Sequence, residues 1–258
     1  MTVPLSLQNK TVLNPRGKTS ARSFSKVVEN YGGLPIEIPL IDFKPIELTS
    51  ELGEIRMKIQ TYDWIIFTSN VTVETFFTYM TRNDLVSPHI AAIGEKTAQV
   101  LIDKGCKVHF TPSKYVAETF AEEFSSKVHP GTKVLIPKGN LARDYISTIL
   151  TKLGAIVEEI TIYETVFPAE SKAVLEQMLI ENKLDIICFT SPSTVDHFME
   201  VVENGFSDKL HMCVFACIGP VAQKRAEKWG LTVHVVPKQY TVEEMIKSIA
   251  EYLLTKSN

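Results

Sequence analysis

Six short loops of this chain combine hydroxyl, glycine and basic residues. Each follows an apolar stretch and precedes a segment with helical periodicity, at 14–18, 68–70, 94–97, 137–140, 190–193 and 219–221. A helix N-terminus has free backbone N–H groups and a partial positive charge, so it binds carboxylates or phosphates. The alternative is that Ser, Thr and Asn only cap these helices. Six such loops together favour a site for an anion.

Basic residues lie in these loops or one turn beyond them, and Arg16 and Lys138 occupy matching places in the two halves of the chain. Arginine binds carboxylates through two parallel hydrogen bonds. A single Lys or Arg near a turn is more often only solvated, but matched cations point to a ligand with several negative groups. The candidate binding residues are Arg16, Lys18, Thr68, Ser69, Asn70, Gly94, Lys96, Thr97, Lys138, Arg143, Thr190, Ser191, Ser193, Gly219 and Pro220, and Arg22 adds a further nearby cation.

Strong acid–base, metal and cofactor chemistry leaves no motif in the sequence. Ser69 and Ser191 do not stand in G-x-S-x-G. The zinc motif H-E-x-x-H, the EF-hand loop, the Walker lysine and the dinucleotide motif G-x-G-x-x-G do not occur. The four cysteines form no C-x-x-C pair, and Cys188, Cys213 and Cys217 are expected to be buried. We therefore expect no metal and no cofactor, and a function that relies on positioning and hydrogen bonds.

The elements that position these loops come from an internal repeat. Residues 11–43 match 133–165, and 63–76 match 185–198, both at an offset of 122. Such a duplication predicts two similar units with a cleft between them. Apolar and amphipathic segments alternate, which indicates an α/β fold of two doubly wound, flavodoxin-like parallel sheets. We expect five strands in each, the last over 108–110 and 233–236, and ligands beyond the carboxyl ends of the strands.

The composition excludes several classes of function. With 45% apolar and 22% charged residues the chain is globular, and a net charge of −3 gives no general attraction to nucleic acid or to anionic membranes. The longest apolar runs are too short to span a bilayer. The first ten residues lack the pattern of a signal peptide, so we expect a cytoplasmic protein.

Several motifs in a fixed order resemble one family. They are F-T-S at 67–69 and 189–191, I-G-E-K-T-A-Q at 93–99, V-L-I-P-K-G at 134–139, I-Y-E-T at 162–165, I-G-P-V-A-Q at 218–223, and V-P-K-Q-Y-T-V-E-E-M at 236–245. From about residue 10 to residue 253, their order and spacing resemble uroporphyrinogen-III synthase. No single motif is diagnostic.

The resemblance implies an activity and a domain plan. The family closes hydroxymethylbilane, a linear tetrapyrrole with acetate and propionate on every ring, into uroporphyrinogen III. It inverts ring D, releases water and uses no cofactor. The implied protein is a monomeric lyase of haem biosynthesis. The first domain would combine 1–37 with 167–258, the second would be 42–162, and 38–41 with 163–166 would link them. Tyr163 matches a family tyrosine thought to assist departure of the hydroxyl, although it could be only a linker tyrosine.

Two departures from the family pattern keep alternatives open. Ala222 stands where the family often has threonine, whereas Thr97 keeps the hydroxyl in the first repeat. The first strand ends in Asn14, Pro15 and Arg16 instead of T-R-P, which displaces the arginine by one position. One alternative is a noncatalytic tetrapyrrole-binding or regulatory homologue. Another, from fold analogy alone, is an enzyme that acts on phosphorylated sugars or nucleotides.

Overall fold

The computed structural model describes residues 5–47, 49–203 and 205–256, without the side chains of Lys18, Thr19 and 207–209. The strands are β1 Thr11–Asn14, β2 Leu34–Glu37, β3 Asp42–Pro45, β4 Trp64–Phe67, β5 His89–Ala92, β6 Lys133–Gly139, β7 Ile156–Val166, β8 Ile186–Phe189 and β9 Val214–Cys217. The α-helices are α1 Lys18–Asn30, α2 Ser50–Lys58, α3 Asn70–Tyr79, α4 Glu95–Asp103, α5 Ala117–Phe124, α6 Tyr145–Lys152, α7 Ala169–Ile180, α8 Pro192–Val202, α9 Pro220–Lys228 and α10 Val242–Lys256. Short 3-10 helices lie at Ile59–Thr61, Arg82–Leu85, Ser125–Lys127 and Ser207–Met212. Across these residues, no helix has both the length and the apolar character that a bilayer span requires.

The chain divides into two compact units. Unit 1 comprises the chain up to Asp42 and from Val166 onward, and unit 2 comprises the residues between them. The resemblance implies that 38–41 is a linker segment. Ile38 and Leu40 of this segment are buried in the core of unit 1. The second segment, 163–166, forms the end of β7. The domain bounds drawn from the resemblance stay predictions.

The sheet of unit 1 is parallel, with strand order β2-β1-β8-β9. Numbered within the unit this is 2-1-3-4, the flavodoxin-like order that the sequence predicts. Successive side chains of a strand point to opposite faces, so Ile187 and Phe189 join one core and Ile186 and Cys188 the other. Helices α7, α8 and α9 cover the first core, and α1 and α10 cover the second.

The sheet of unit 2 has the order β3-β7-β6-β4-β5. Strand β6 pairs in parallel with β7 and β4, and β4 pairs in parallel with β5. Ile65 and Phe67 of β4 enter the core under α2, α3 and α4, while Ile66 enters the core under α5 and α6. Both units therefore carry helices on both faces of their sheets, and the predicted α/β doubly wound class is confirmed.

The predicted fifth strands are wrong. Segments 108–110 and 233–236 each form a single isolated bridge, to β5 and β9 respectively. His109 Nδ1 accepts a main-chain N–H of β5 at 3.0 Å, and His234 Nδ1 accepts one of β9 at 3.0 Å. Because an imidazole takes the hydrogen bond that a strand carbonyl would accept, no continuous ladder forms at either edge.

Candidate functional site

The hydroxyl loop of unit 1 is built around the start of α8. Ser191 Oγ accepts the N–H of Thr194 at 3.3 Å, and Thr194 Oγ1 accepts the N–H groups of Thr190 and Ser191 at 3.2 Å each. The side chain of Ser191 therefore caps the helix, which is the alternative that the sequence left open. Ser193, the second residue of α8, is half-buried.

The corresponding loop of unit 2 precedes α3 and follows β4. Ser69 Oγ accepts the N–H of Thr72 at 3.1 Å and lies 2.8 Å from Thr72 Oγ1. Ser69 is thus an N-cap like its repeat partner. Thr68 is half-buried and Asn70 is exposed, so these two side chains lie at the accessible edge of the sheet.

The two glycine loops leave helix N-termini without side-chain caps. Gly94 precedes α4 and Gly219 precedes α9, and neither helix start has a side-chain cap. Their first-turn N–H groups therefore remain for water or a ligand. Thr97 is 4% exposed and Ala222 2% exposed, so the two repeats place a hydroxyl and a methyl at equivalent buried positions. Pro220, the first residue of α9, is exposed.

Arg16 is a predicted cation that is partly buried without an ion pair in the described part of the chain. Burial lowers the pKa of its guanidinium. Its backbone N–H donates to Asn14 Oδ1 at 3.1 Å, and the Asn14 amide donates in turn to Ala21 O at 2.9 Å. This network fixes the loop that carries Arg16. The side chain of Lys18 lies outside the described residues.

The other predicted cations are arranged differently. Lys138 Nζ lies 2.9 Å from Glu159 Oε2 with both side chains largely buried, so its charge is already neutralised. Arg143 is 72% exposed and lies 3.4 Å from Glu118. Lys96 is exposed at the start of α4. Arg16 and Lys138 occupy matching places in the two repeats, but only Lys138 forms an ion pair with a glutamate.

A cavity of about 340 Å³ in unit 2 brings some of these residues together. Its lining includes the predicted residues Thr68 and Arg143 and two tyrosines that the sequence analysis did not select, Tyr115 and Tyr145. The sequence does offer a signal for Tyr115, because at an offset of 125 it matches Tyr240 in the other repeat. This cavity lies at the carboxyl end of β4, where a doubly wound sheet binds its ligands.

Tyr163 lies near the end of β7, inside the core of unit 2. It is 9% exposed, and the Phe43 ring meets it edge-on at 5.5 Å between centroids. Its phenol oxygen makes no hydrogen bond within the described part of the chain. None of the described buried side-chain oxygens or nitrogens lacks a partner, so this oxygen reaches solvent. The ring is held while its hydroxyl stays available to another molecule.

Residues that could hold a metal or react as nucleophiles are scarce. Among the described residues, no three His, Cys, Asp or Glu side chains form a metal-binding group. All four cysteines are buried as free thiols. Burial raises the pKa of Cys213 to about 11 and that of Cys217 to about 12, so both stay protonated and unreactive. The candidate groups that remain in the described part of the chain are hydrogen-bond donors, Arg16 and the phenol of Tyr163.

Comparisons with known proteins place the chain in one family. Residues 22–247 match the family model described as Uroporphyrinogen-III synthase HemD. A uroporphyrinogen-III synthase from Synechococcus elongatus is 28% identical over 95% of this chain and 96% of its own length. The one from Chlorobaculum parvum is 28% identical over 95% of this chain and 99% of its own length.

Solved structures share the fold. A mutant uroporphyrinogen III synthase from Thermus thermophilus gives a TM-score of 0.63 at 16% identity, covering 95% of this chain and 99% of that one. The synthetase from Helicobacter pylori gives 0.61 at 17% identity, covering 97% and 100%. These identities support the fold alone, whereas the family model spans most of the sequence. The chain belongs to the uroporphyrinogen-III synthase family.

Proposed function

We propose that this protein is an active uroporphyrinogen-III synthase, a cyclising lyase that converts hydroxymethylbilane to uroporphyrinogen III with loss of water. The match of residues 22–247 to the family model carries the proposal. The unbonded phenol of Tyr163 at a strand end supports it. We further propose that the protein acts in the cytoplasm as a monomer and needs no cofactor.

The substrate carries an acetate and a propionate on each pyrrole, so it needs several anion-binding positions. The uncapped starts of α4 and α9 offer backbone N–H groups with a favourable helix dipole. Arg16 offers an unpaired and partly desolvated guanidinium, which binds a carboxylate more strongly than a fully hydrated cation does. We assign these groups to the substrate carboxylates, with the remaining predicted loop residues around them.

Tyr163 is assigned to the departure of the hydroxyl. Its O–H bond breaks as the proton moves to the hydroxyl of the hydroxymethyl group, the C–O bond breaks, and water leaves. The pyrrole nitrogen keeps its proton and supplies the electron pair that forms the protonated azafulvene. The substituted carbon of ring D attacks the methylene carbon that lost the hydroxyl and forms a spiro intermediate. This intermediate rearranges with loss of one ring proton. The phenolate takes this proton back, so the net change is the loss of one water.

Positioning supplies the rest of the catalysis. Without the enzyme, the linear substrate closes to the uninverted type I isomer, so the protein must favour attack through the substituted carbon of ring D. Holding reacting groups in a productive orientation lowers a barrier by roughly 7–11 kcal/mol in favourable cases. The absence of a nucleophile motif in the sequence agrees with such a mechanism.

The isomer of the product tests this proposal. Purified protein is mixed with hydroxymethylbilane, and the products are oxidised to porphyrins and separated by chromatography. We expect the type III isomer. Type I isomer alone, formed at the rate of the reaction without enzyme, would contradict the proposal.

A second candidate function is a noncatalytic tetrapyrrole-binding homologue. Ala222 favours it, because its buried methyl replaces the hydroxyl that Thr97 keeps in the other repeat. Titration calorimetry with a linear tetrapyrrole distinguishes the two functions. Binding without turnover would favour the homologue, and turnover to the type III isomer would exclude it.

A further inference from the structure

Gly139, the last residue of β6, lies directly against the ring of Tyr163. A Cβ atom built on Gly139 would lie 2.4 Å from Tyr163 Cε2, 2.5 Å from Cζ and 2.8 Å from the phenol oxygen. These separations are shorter than van der Waals contact, so no residue with a side chain fits there unless the tyrosine ring moves. The Gly139 backbone itself is not in the left-handed region. Only the tyrosine ring therefore requires glycine here.

Asn140, the residue after Gly139, holds the end of β7 that carries Tyr163. Its main-chain N–H donates to Tyr163 O at 3.1 Å, and its side-chain Oδ1 accepts the N–H of Thr165 at 2.9 Å. The register between β6 and β7 shifts between Lys138 and Gly139, which is a bulge at this point. Bulges re-aim side chains next to functional sites. The end of β7 is thus held by two hydrogen bonds beside the phenol.

The corresponding residues of the other repeat do not approach each other as closely. At the offset of 122, Gly139 matches Gly17 and Tyr163 matches Ile41. A Cβ atom on Gly17 would lie 3.5 Å from Ile41 O, which is an ordinary contact. The close approach therefore exists in the unit that carries the phenol, and it does not follow from the duplicated fold itself.

We propose that Gly139 is a positioning residue for Tyr163: the missing side chain, with Asn140 and Phe43 around the ring, sets where the phenol hydroxyl meets the substrate. This rests on the proposed function, in which Tyr163 donates the proton. A methyl group at position 139 pushes the ring aside, while the hydrogen bonds of Asn140 keep the strand in place. A misplacement of about 1 Å lowers turnover by up to roughly 100-fold.

The test compares Gly139→Ala with Gly53→Ala, which adds the same methyl group in helix α2 where nothing lies within 4 Å. Both are made in the wild-type and Tyr163→Phe backgrounds. We measure kcat and KM for type III formation, and the Tyr163 13Cζ resonance in tyrosine-labelled protein. We expect Gly139→Ala to lower kcat by roughly 10- to 100-fold with KM unchanged. Gly139→Ala should also shift the Tyr163 resonance. In the Tyr163→Phe background it should not lower kcat further. Gly53→Ala should change neither kcat, nor KM, nor the resonance.

Several results would overturn the proposal. Wild-type kcat in Gly139→Ala contradicts it, and so does an equal loss in both backgrounds, which would show that Gly139 acts independently of the phenol. If the wild-type protein makes only type I isomer, the proposed function fails. In that case the Tyr163 resonance still tests whether Gly139 positions the ring. An unchanged Tyr163 resonance in folded Gly139→Ala would show that it does not.

Discussion

Replacement of Arg16 by glutamine should weaken substrate binding more than any other loss of a single charge in unit 1. The guanidinium is half-buried, and no carboxylate within the described residues neutralises it. Glutamine keeps a polar side chain and removes the charge. Because no ion pair is broken, the fold should be unaffected, as for most substitutions outside the core.

The size of the effect follows from the bond that is lost. A hydrogen bond to a charged group contributes about 1.5–3 kcal/mol, and 1.4 kcal/mol corresponds to tenfold in an equilibrium constant. The Arg16→Gln variant should therefore lose roughly 10- to 150-fold in kcat/KM. A carboxylate remote from the reacting carbons is bound equally in ground and transition states, so the loss should appear in KM. The KM of Arg16→Lys should lie between those of the wild type and Arg16→Gln, because lysine keeps the charge but lacks the planar guanidinium that binds a carboxylate through two hydrogen bonds.

The assay is the initial rate of type III formation across substrate concentrations. The control is Lys26→Gln, which removes one exposed charge from α1, the helix that follows the loop of Arg16. An unchanged KM in Arg16→Gln, or a change equal to that of the control, would refute the assignment of Arg16 to the substrate.

Three further predictions concern chemistry, pH and stability. Tyr163→Phe should lower kcat by roughly 100-fold or more and leave the melting temperature unchanged; wild-type kcat would remove the phenol from the mechanism. Burial, with nearby positive charge, lowers the pKa values of His109 and His234 from 6.5. The unfolded chain then binds more protons, so stability should fall as pH drops below about 6.5; equal melting temperatures at about pH 5.5 and pH 7.5 would contradict this. Asp185→Ala removes the acceptor of two hydrogen bonds from Thr11, at 2.8 and 2.9 Å, and should cost about 2 kcal/mol in urea unfolding; an unchanged unfolding midpoint would show that the contact contributes nothing.

Apart from the fifth strands, the strands and helices that recur in both repeats follow from the sequence. Continuous apolar runs such as 64–67 and 186–189 identify buried parallel strands, because both faces of such a sheet are covered. Helix α2 was not predicted. Only Leu52 and Ile55 of this helix are buried, and Gly53 lies in its interior, so it shows neither strong periodicity nor high propensity. A helix of this kind depends on tertiary contacts, such as Lys58 with Glu158 at 2.8 Å.

The sequence predicts which loops precede helices, but not the contacts that their side-chain atoms make. Residue types locate Ser69 and Ser191 at helix starts, but only coordinates show that their hydroxyls serve as caps. The pairing of Lys138 with Glu159 joins two strands, and no spacing rule connects them in the sequence. The contact between Gly139 and Tyr163 depends on a bulge, which the repeat does not encode. Contacts between distant segments therefore set the limit of the sequence-based account.

The ratio of uroporphyrin III to uroporphyrin I, measured as a function of protein concentration, tests the central claim most directly. Hydroxymethylbilane is supplied at a fixed concentration and the closure reaction without protein is run in parallel. We expect the type III fraction to rise with wild-type protein and to rise far less with an equal amount of Tyr163→Phe. A type III fraction that stays at the level without protein, at every concentration, would contradict it.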